Sequence, residues 1–396
     1  MSQRARLLVL GMMGRTPFAG VAWQVLQYLE GLRRLGHDVY YIEDTGDWPY
    51  DPEQNTITAD PSYTVAYIAR LMPRCGMHDR WAYVSPAADG RRTFGLSDSR
   101  VSQLLREADA LVNLTGSTLL GEEHSAIPIR IYLETDPVLR QIEIAKGRQF
   151  SIDLLAAHTH HFTYGENFGA PDCAVPLERF HYWPTRPPVV LDWWLGGARG
   201  DTTRYTTIAS WKQSGKDIEW NGEIYTWSKH YEFLKFLDLP ARVNCSCEVA
   251  IACGEPDAIE VLRQTRCLLA AHGWGVTDAL ALSKDILPYQ EYILGSRAEF
   301  TVAKDQNIRL RSGWFSDRSA CYLAASHPVI TQDTGFGNVL PTGEGLFSFR
   351  SREEAVTAFR EIESDYPRHA RRARCIAEEY FRAELVLNKL CEDAGI

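Results

Sequence analysis

The sequence lacks any long hydrophobic run, since no stretch approaches twenty uninterrupted apolar residues. The apolar run from Leu7 to Met13 is too short to span a bilayer, and no convincing small-residue cleavage site follows it. We therefore expect a protein that is neither secreted nor integral to a membrane and that resides in the cytoplasm.

Cysteine pairs with metal-ligand spacing are missing as well. The nine cysteines are scattered, no Cys-x-x-Cys pair occurs, and the only close pair is Cys245 and Cys247, with Cys253 nearby. This pattern favours reduced thiols over disulfides or a zinc site. We expect no bound metal.

The sequence also lacks an excess of positive charge. Lys and Arg number 42 against 51 Asp and Glu, which gives a net charge of −9. Binding of nucleic acid along the whole chain would need a basic face or stripe, so a nucleic-acid partner is not indicated, although a local basic groove stays open. The 396 residues, 45% of them hydrophobic and 23% charged, indicate a globular protein of two domains.

Strand and helix patterns alternate through the first half of the chain. A buried strand runs from Arg6 to Gly11, helical spacing of apolar residues covers Val21 to Leu35, and a second strand runs from His37 to Ile42. Such a strand–helix–strand unit builds a parallel sheet, whose ligands collect beyond the carboxyl ends of the strands. Further strand patterns occur at 110–114, 129–133 and 161–164.

The second half repeats this pattern after the proline-rich segment from Trp183 to Pro188, which is the best linker candidate. Predicted strands cover 205–209, 248–253, 299–303, 329–331 and 346–349, and predicted helices cover 256–272, 286–294 and 317–326. We predict an α/β protein with domains at 1–188 and 189–370 and a separate helical end at 371–396.

The densest chemical signal lies between Arg311 and Gly345. Ser312 and Gly313 come just before a predicted helix, where free backbone N–H groups and the helix dipole favour a phosphate. Ser316 suits the N-cap of that helix, so part of the pattern is ordinary capping. Asp317 lies in the first turn, where its carboxylate could face a ribose diol or simply compensate the helix dipole.

A turn follows the next predicted strand. Asp333, Thr334 and Gly335 lie at its carboxyl end, where a turn of a parallel sheet usually lines a ligand crevice. The alternative is a simple turn without a ligand.

These pieces resemble the GT-B glycosyltransferases. That family carries a phosphate-facing loop, a helix whose acidic residue holds the ribose, a Pro-Val dipeptide that starts the next strand, a Gly-containing turn and a Gly-x-Gly. The matching pieces here are 312–316, the helix from Asp317, Pro328-Val329, 333–335 and 343–346. The resemblance implies two Rossmann-like domains facing a central cleft, with a C-terminal helix that crosses back onto the first domain. It also implies a nucleoside diphosphate sugar as the donor in the second domain, with no cofactor and no metal.

The chain departs from this family in one respect. Many retaining members carry two glutamates separated by seven residues, and alignment on Pro328 puts Gly313 and Cys321 at those places. Neither side chain can do the work of a carboxylate. Asp317 precedes Cys321 by one helical turn on the same face, so it could take over the ribose contact.

Basic residues are needed beside the diphosphate that leaves during transfer. The resembling enzymes have an Arg and a Lys after the first strand of the second half, where this chain has Lys212 and Lys216. Both could equally be solvated loop lysines. Arg311 and Arg318 are competing candidates for the same role.

The candidates for a general base lie in the first half. Histidine is the usual base near neutral pH, and His158 is preferred over His161, which begins a strand. Glu166 and Asp136 follow predicted strands at their carboxyl ends and are rivals.

Three functions are compatible with these residues. The leading hypothesis is transfer of a sugar from a nucleoside diphosphate sugar to an unidentified acceptor without a metal. The second is a nucleotide-sugar epimerase of the same architecture, for which Asp136 and Glu166 could supply a carboxylate pair. The third is a binding protein that keeps the fold without turnover, as the two missing glutamates would allow.

Overall fold

Two large sheets of mainly parallel strands organise the protein. A computed structural model describes residues 4–86, 90–196, 203–254 and 258–396, and no helix in these ranges is long and apolar enough to cross a bilayer. The first sheet has eight strands and ends within the proline-rich segment, and the second sheet has six strands that all follow this segment. The predicted α/β fold with two parallel sheets is therefore confirmed, whereas the domain boundaries at 188 and 370 stay predictions.

The first half contributes ten strands. They are β1 Arg6–Leu10, β2 Asp38–Glu43, β3 Tyr50–Asp51, β4 Thr56–Ile57, β5 Trp81–Ser85, β6 Arg92–Gly95, β7 Ala110–Leu114, β8 Ile129–Glu134, β9 His160–Thr163 and β10 Trp183–Pro184. The order in the sheet is β10-β9-β8-β7-β1-β2-β5-β6, in which only the edge strand β6 is antiparallel, and β3 and β4 form a separate hairpin. The pair β5 and β6 was not predicted from the sequence.

The second half contributes eight strands. They are β11 Arg204–Ser210, β12 Ile218–Trp220, β13 Glu223–Tyr225, β14 Ser246–Ala252, β15 Trp274–Asp278, β16 Ala298–Thr301, β17 Val329–Gln332 and β18 Leu346–Phe349. The sheet order is β15-β14-β11-β16-β17-β18, all parallel, and β12 and β13 form a separate antiparallel hairpin. This hairpin and β15 had no counterpart among the predicted elements.

Fourteen α-helices connect these strands in the described ranges. They are α1 Ala19–Arg34, α2 Ser62–Leu71, α3 Asp98–Glu107, α4 Leu139–Ala145, α5 Gln149–Ala156, α6 His230–Leu234, α7 Ala258–Ala271, α8 Ala279–Ser283, α9 Ile286–Leu294, α10 Asp305–Arg309, α11 Asp317–Ala324, α12 Arg352–Ser364, α13 Tyr366–Ile376 and α14 Ala383–Ala394. The helix predicted from residue 256 begins at Ala258 in the structure, and residues 255–257 lie outside the described ranges.

The central strands are buried on both faces, as their composition requires. In β1 the run Leu7 to Leu10 is at most 1% exposed, and β7 is buried at every position. Continuous apolar strands of this kind occur where helices cover both faces of a parallel sheet. This arrangement leaves the strand ends as the places where polar side chains can gather.

The C-terminal helix α14 returns to the first half and packs on α1. A Cβ built on Gly31 of α1 would lie 2.4 Å from Cδ1 of Leu387, so glycine allows the two helices to approach closely. The chain reaches α14 beside Val189, whose N–H donates to the carbonyl of Phe381 (2.7 Å) and whose carbonyl accepts from Ala383 (2.9 Å). The predicted return of the C-terminal helix is confirmed.

Candidate functional site

The carboxyl ends of strands from both sheets meet across a cleft. On the first side, the loop after β8 carries Thr135 and Asp136. On the second side, the indole N–H of Trp314 donates to the carbonyl of Thr135 (3.0 Å), and the Lys304 ammonium pairs with the Asp136 carboxylate. These contacts place Asp136 between the two sheets.

A strained loop holds Asp136 in this position. Val138 has a φ of +95°, a left-handed value that a β-branched residue rarely adopts. Its N–H donates to the Gln141 side chain (2.7 Å), and the Gln141 amide donates to both oxygens of buried Glu134 (3.0 and 2.9 Å). Burial raises the pKa of Glu134 to about 7. The Gln141 side chain therefore fixes the loop by bonding both Val138 and Glu134. Oδ1 of Asp136 is buried and has no hydrogen-bond partner.

Two desolvated lysines lie on the second side of the cleft. Burial lowers the pKa of Lys304 to about 8, against the opposing effect of Asp136. Burial, helped by the charges of Arg318 and Lys304, lowers the pKa of Lys229 to about 7. Each ammonium lies over an indole: Lys304 is 3.1 Å from the ring centre of Trp227, and Lys229 is 4.7 Å from that of Trp314. Such poorly solvated cations would gain strongly from an anionic ligand.

The two lysines predicted for the diphosphate occupy different surroundings. Lys216 is exposed, and its ammonium lies 4.6 Å from the ring centre of Trp227, next to Lys304. Lys212 is half-buried and follows Trp211 at the end of β11. Their predicted role stays a prediction. Lys229 and Lys304 were missed because no motif marks them; each becomes notable only through burial beside an aromatic ring.

Asp317 lies at the start of α11 and faces the first half. Its two carboxylate oxygens accept from the Gln24 amide on α1 (3.3 Å each), and one also accepts from the Tyr164 hydroxyl (3.3 Å). Burial raises its pKa to about 6. Asp317 therefore lines the gap between the halves, and its predicted ribose contact stays a prediction. Ser316 precedes it as the N-cap residue but makes no side-chain capping hydrogen bond.

The predicted phosphate loop is packed against the first half. Gly313 has a φ of +84°, and a Cβ built there would lie 2.3 Å from the backbone nitrogen of Asn167. The Asn167 N–H donates to the carbonyl of Ser312 (3.1 Å), and Ser312 is fully buried. Gly313 thus serves the contact between the halves in this closed arrangement. A glutamate at position 313 would have no room.

A polar cluster next to this loop joins the same two halves. The Arg311 guanidinium donates to Asp172 (2.8 Å) and to Asp333 (2.9 Å), and Asp333 also accepts from Arg350 (2.6 Å). The turn after β17 is held by the Gly335 N–H, which donates to Asp333 (2.8 Å). Both carboxylates therefore neutralise the Arg311 guanidinium in this structure. Its predicted role as a cation that binds the diphosphate stays a prediction.

Thr334 completes that turn by donating its hydroxyl to the carbonyl of Trp314 (2.7 Å). Gly335 has a φ of +94°, and a Cβ there would lie 2.8 Å from the side-chain nitrogen of Asn167. The turn predicted at 333–335 is present, and it faces the first half at the edge of the cleft.

Arg318, a competing candidate for the diphosphate, is bonded within the second half. Its guanidinium donates to Glu299 (2.6 Å), to the carbonyl of Ile208 (2.6 Å) and to Thr301 (2.9 Å). Glu299 is fully buried within β16. All three partners belong to the second sheet, so Arg318 stabilises that sheet in this structure, and its predicted role at the diphosphate stays a prediction.

His158, the preferred candidate for the base, is bonded within the first half. It is buried at the start of the segment leading into β9; its Nδ1 bonds the carbonyl of Leu154 (2.8 Å) and its Nε2 bonds the Asn113 amide (3.1 Å). Burial lowers its pKa to about 4. A ring whose two nitrogens are engaged inside the first half is not positioned to take a proton from a substrate.

Glu166 is held in a similar way. Its carboxylate pairs with Arg186 through two contacts (3.1 and 2.5 Å), and burial raises its pKa. Of the three predicted bases, Asp136 is the one that lies in the cleft with an unpartnered oxygen. The predicted carboxylate pair of Asp136 and Glu166 for an epimerase stays a prediction.

A buried glutamate supports the loop after β1. Glu43, at the end of β2, accepts from the backbone N–H groups of Gly14 (2.8 Å) and Arg15 (2.5 Å) and from the Tyr41 hydroxyl (2.5 Å). Burial raises its pKa to about 7. The loop is thereby fixed beside Gln24 on the first side of the cleft.

No group of three or more His, Cys, Asp or Glu side chains that could hold a metal occurs in the described ranges. No family model matches the sequence, and no curated protein matches it. Comparison with solved structures gives full-length matches at low identity.

Anabaena HepE in complex with UDP and glucose shares 11% identity with a TM-score of 0.61, covering 99% of this chain and 100% of its own. An alpha-glucosyltransferase in complex with UDP and a 13-mer DNA shares 10% identity with a TM-score of 0.58, covering all of both chains. AviGT4, a glycosyltransferase involved in avilamycin A biosynthesis, shares 11% identity with a TM-score of 0.54, covering 98% of this chain and 97% of its own. At these identities the likeness establishes architecture: the chain has the GT-B fold.

Proposed function

We propose that the protein transfers a sugar from a nucleoside diphosphate sugar to an acceptor bound on the first domain. The observation that carries this proposal is the pair of desolvated cations, Lys229 and Lys304, placed opposite Asp136 across the cleft. A leaving diphosphate needs positive charge, and a reacting acceptor needs a base, and these three side chains can supply both.

The donor nucleotide is proposed from the structural neighbours. HepE is described with UDP and with UDP-glucose, and the alpha-glucosyltransferase with UDP. Uridine diphosphate is therefore the first nucleotide to test on this chain. In this proposal Asp317 contacts the ribose after it exchanges its present partners, Gln24 and Tyr164.

The reaction that we propose is a single displacement at the anomeric carbon of the donor sugar. The acceptor hydroxyl oxygen forms a bond to the anomeric carbon, while the bond between that carbon and the diphosphate oxygen breaks. The electron pair leaves with the diphosphate, whose charge Lys229 and Lys304 neutralise. Asp136 takes the acceptor proton on Oδ1, the buried oxygen that has no partner. Because lysines supply the positive charge, the proposal needs no metal.

Closure of the cleft supports such a reaction by excluding water. The contacts Trp314–Thr135, Asp317–Gln24 and Asn167–Ser312 already bridge the halves. The donor would enter when they separate and be enclosed when they reform.

Thermal-shift titration with a panel of nucleoside diphosphates tests the donor site first. We expect stabilisation by UDP, because a ligand that binds only the folded state shifts the unfolding transition upward. Incubation with UDP-sugars and candidate acceptors then measures release of UDP. Stabilisation without any release would favour a binding protein, conversion of the sugar without an acceptor would favour an epimerase, and loss of activity on chelation would contradict metal independence.

A further inference from the structure

A recess of about 320 Å³ lies beside the cleft, between the first half and the β12–β13 hairpin. Its walls are the start and end of α4, the segment before α5, and the loop that enters β12. The lining residues are Leu139, Arg140, Glu143, Lys146, Arg148, Gly215, Lys216, Asp217 and Ile218. Its volume is that of a small-ligand pocket.

The recess is basic in a protein that is acidic overall. Four of its lining side chains are cationic and two are anionic, whereas the whole chain has a net charge of −9. Both acids are already engaged: Glu143 accepts from Arg140 (2.7 Å), and Asp217 accepts from the backbone N–H of Trp227 (2.8 Å). The positive charge is therefore concentrated here.

The basic side chains keep hydrogen-bond donors for a ligand. Arg148 is exposed and makes no ion pair with any acid in the part of the chain that the structure describes. The Lys146 ammonium donates to the carbonyl of Glu219 (3.0 Å), which leaves two of its three N–H groups available. A guanidinium and ammonium groups in one recess match the geometry and charge of a phosphate.

The recess is connected to Asp136. Arg140 follows Asp136 by four positions in the chain, after the strained residue Val138. The Lys216 ammonium lies 4.6 Å from the ring centre of Trp227, and the same ring contacts Lys304, the partner of Asp136. A ligand whose hydroxyl reaches Asp136 could therefore extend its far end into the recess.

We propose that this recess binds a phosphate group of a soluble acceptor, so that the protein glycosylates a phosphorylated substrate. This inference rests on the proposed function, because the acceptor hydroxyl is placed at Asp136. The net charge of the lining matches a phosphate monoester, which carries about −1.5 to −2 near neutral pH, better than a single carboxylate.

Calorimetric titration of the full chain with inorganic phosphate, in the presence of saturating UDP, tests the recess. Phosphate should bind, and the double variant K146A/R148A should weaken that binding at least about tenfold while UDP affinity stays unchanged. The double variant R263A/K389A removes the same charge from α7 and α14 and should bind phosphate like the parent protein.

Three outcomes overturn the proposal. They are absence of phosphate binding when UDP is bound, equal weakening in the two double variants, and binding to phosphatidylglycerol vesicles that requires Lys146 and Arg148 while inorganic phosphate does not bind. Failure of the donor site is a separate result. If UDP never binds but K146A/R148A still abolishes phosphate binding, the proposed function is contradicted, whereas phosphate binding in the recess is supported.

Discussion

Asp136 from the first half pairs with Lys304 from the second, so the candidate base and a candidate leaving-group cation are the two members of one ion pair. Neither charge is fully solvated, because the Lys304 side chain is 8% exposed and that of Asp136 37%. A donor diphosphate that binds Lys304 would weaken this pair and free the carboxylate. Donor binding and activation of the base are thereby coupled.

Replacement of Lys304 should weaken donor binding. The variant K304M keeps the aliphatic stem against Trp227 but removes a charge-assisted hydrogen bond of about 1.5–3 kcal/mol, so UDP affinity should fall roughly 10- to 100-fold. Calorimetric titration with UDP measures the effect. The variant K389M at an exposed position of α14 is the control, and unchanged UDP affinity in K304M would remove Lys304 from the donor site.

Donor affinity should depend on pH through Lys229. This lysine is charged below its pKa of about 7 and neutral above it, so UDP affinity should decline as the pH rises from 7 to 9. Below pH about 6 the affinity should also fall, because the terminal phosphate gains a proton. Titrations at several pH values locate the maximum near neutrality.

The variant K229R supplies the matching control for this pH profile. Arginine stays protonated throughout this range, so the decline in K229R should become shallower and begin at higher pH, where Lys304 with its pKa of about 8 loses its charge. An identical decline in parent and variant would assign the titration to another group.

Replacement of Asp136 should affect turnover more than binding. The variant D136N keeps the shape but cannot accept a proton, so kcat should fall about 10²- to 10⁴-fold. UDP affinity should not fall with it and should rise, because Lys304 loses the carboxylate that competes with the diphosphate. The variant H158Q should keep kcat, because His158 is enclosed within the first half, and should lower only the melting temperature. The idea fails if D136N turns over normally or if H158Q loses the rate instead.

Gly313 should be required for closure. The variant G313A combines a left-handed backbone, which disfavours alanine by about 1–2 kcal/mol, with a clash against Asn167. Gly36 has a similar φ of +92° but nothing within 4 Å of an added Cβ, so G36A isolates the backbone effect. Small-angle X-ray scattering should show a larger radius of gyration for G313A than for G36A. Equal radii would mean that the Asn167 contact is not needed for closure.

The Arg318–Glu299 pair should contribute to stability. The variant R318L leaves Glu299 buried without its partner, which should lower the free energy of unfolding by about 3–5 kcal/mol. The exposed pair Arg263–Glu260 gives the comparison, since R263L should change stability little. Urea denaturation measures both. Similar values for the two variants would contradict a supporting role for Arg318.

The regular parts of the fold could be predicted from the sequence because burial dictates composition. Strand β1 is apolar at consecutive positions and α1 repeats apolar residues at helical spacing, and both signals are local. The hairpin β12–β13 escaped prediction because its short strands are largely exposed and have little apolar pattern.

The candidate site was harder to predict, because its chemistry depends on partners distant in sequence. Asp136 was identified from its place after a strand, and the structure puts it in the cleft. Burial lowers the pKa of Lys304, and its partner Asp136, which opposes that shift, lies 168 residues away in the sequence, so no motif records the pair. The hydrogen-bond partners of His158 and Arg318 could not be predicted either, because only the folded chain brings those neighbours to them.

The backbone pairing of Val189 with the segment around Arg382 has a consequence for motion. The chain passes between the two halves twice, and at this point both passages are tied together by hydrogen bonds. The two halves are therefore joined by two adjacent, hydrogen-bonded chain segments, which can act together as one hinge. Opening should then be a rotation about one axis near Val189, which would part the cleft most at its far rim and least beside the hinge.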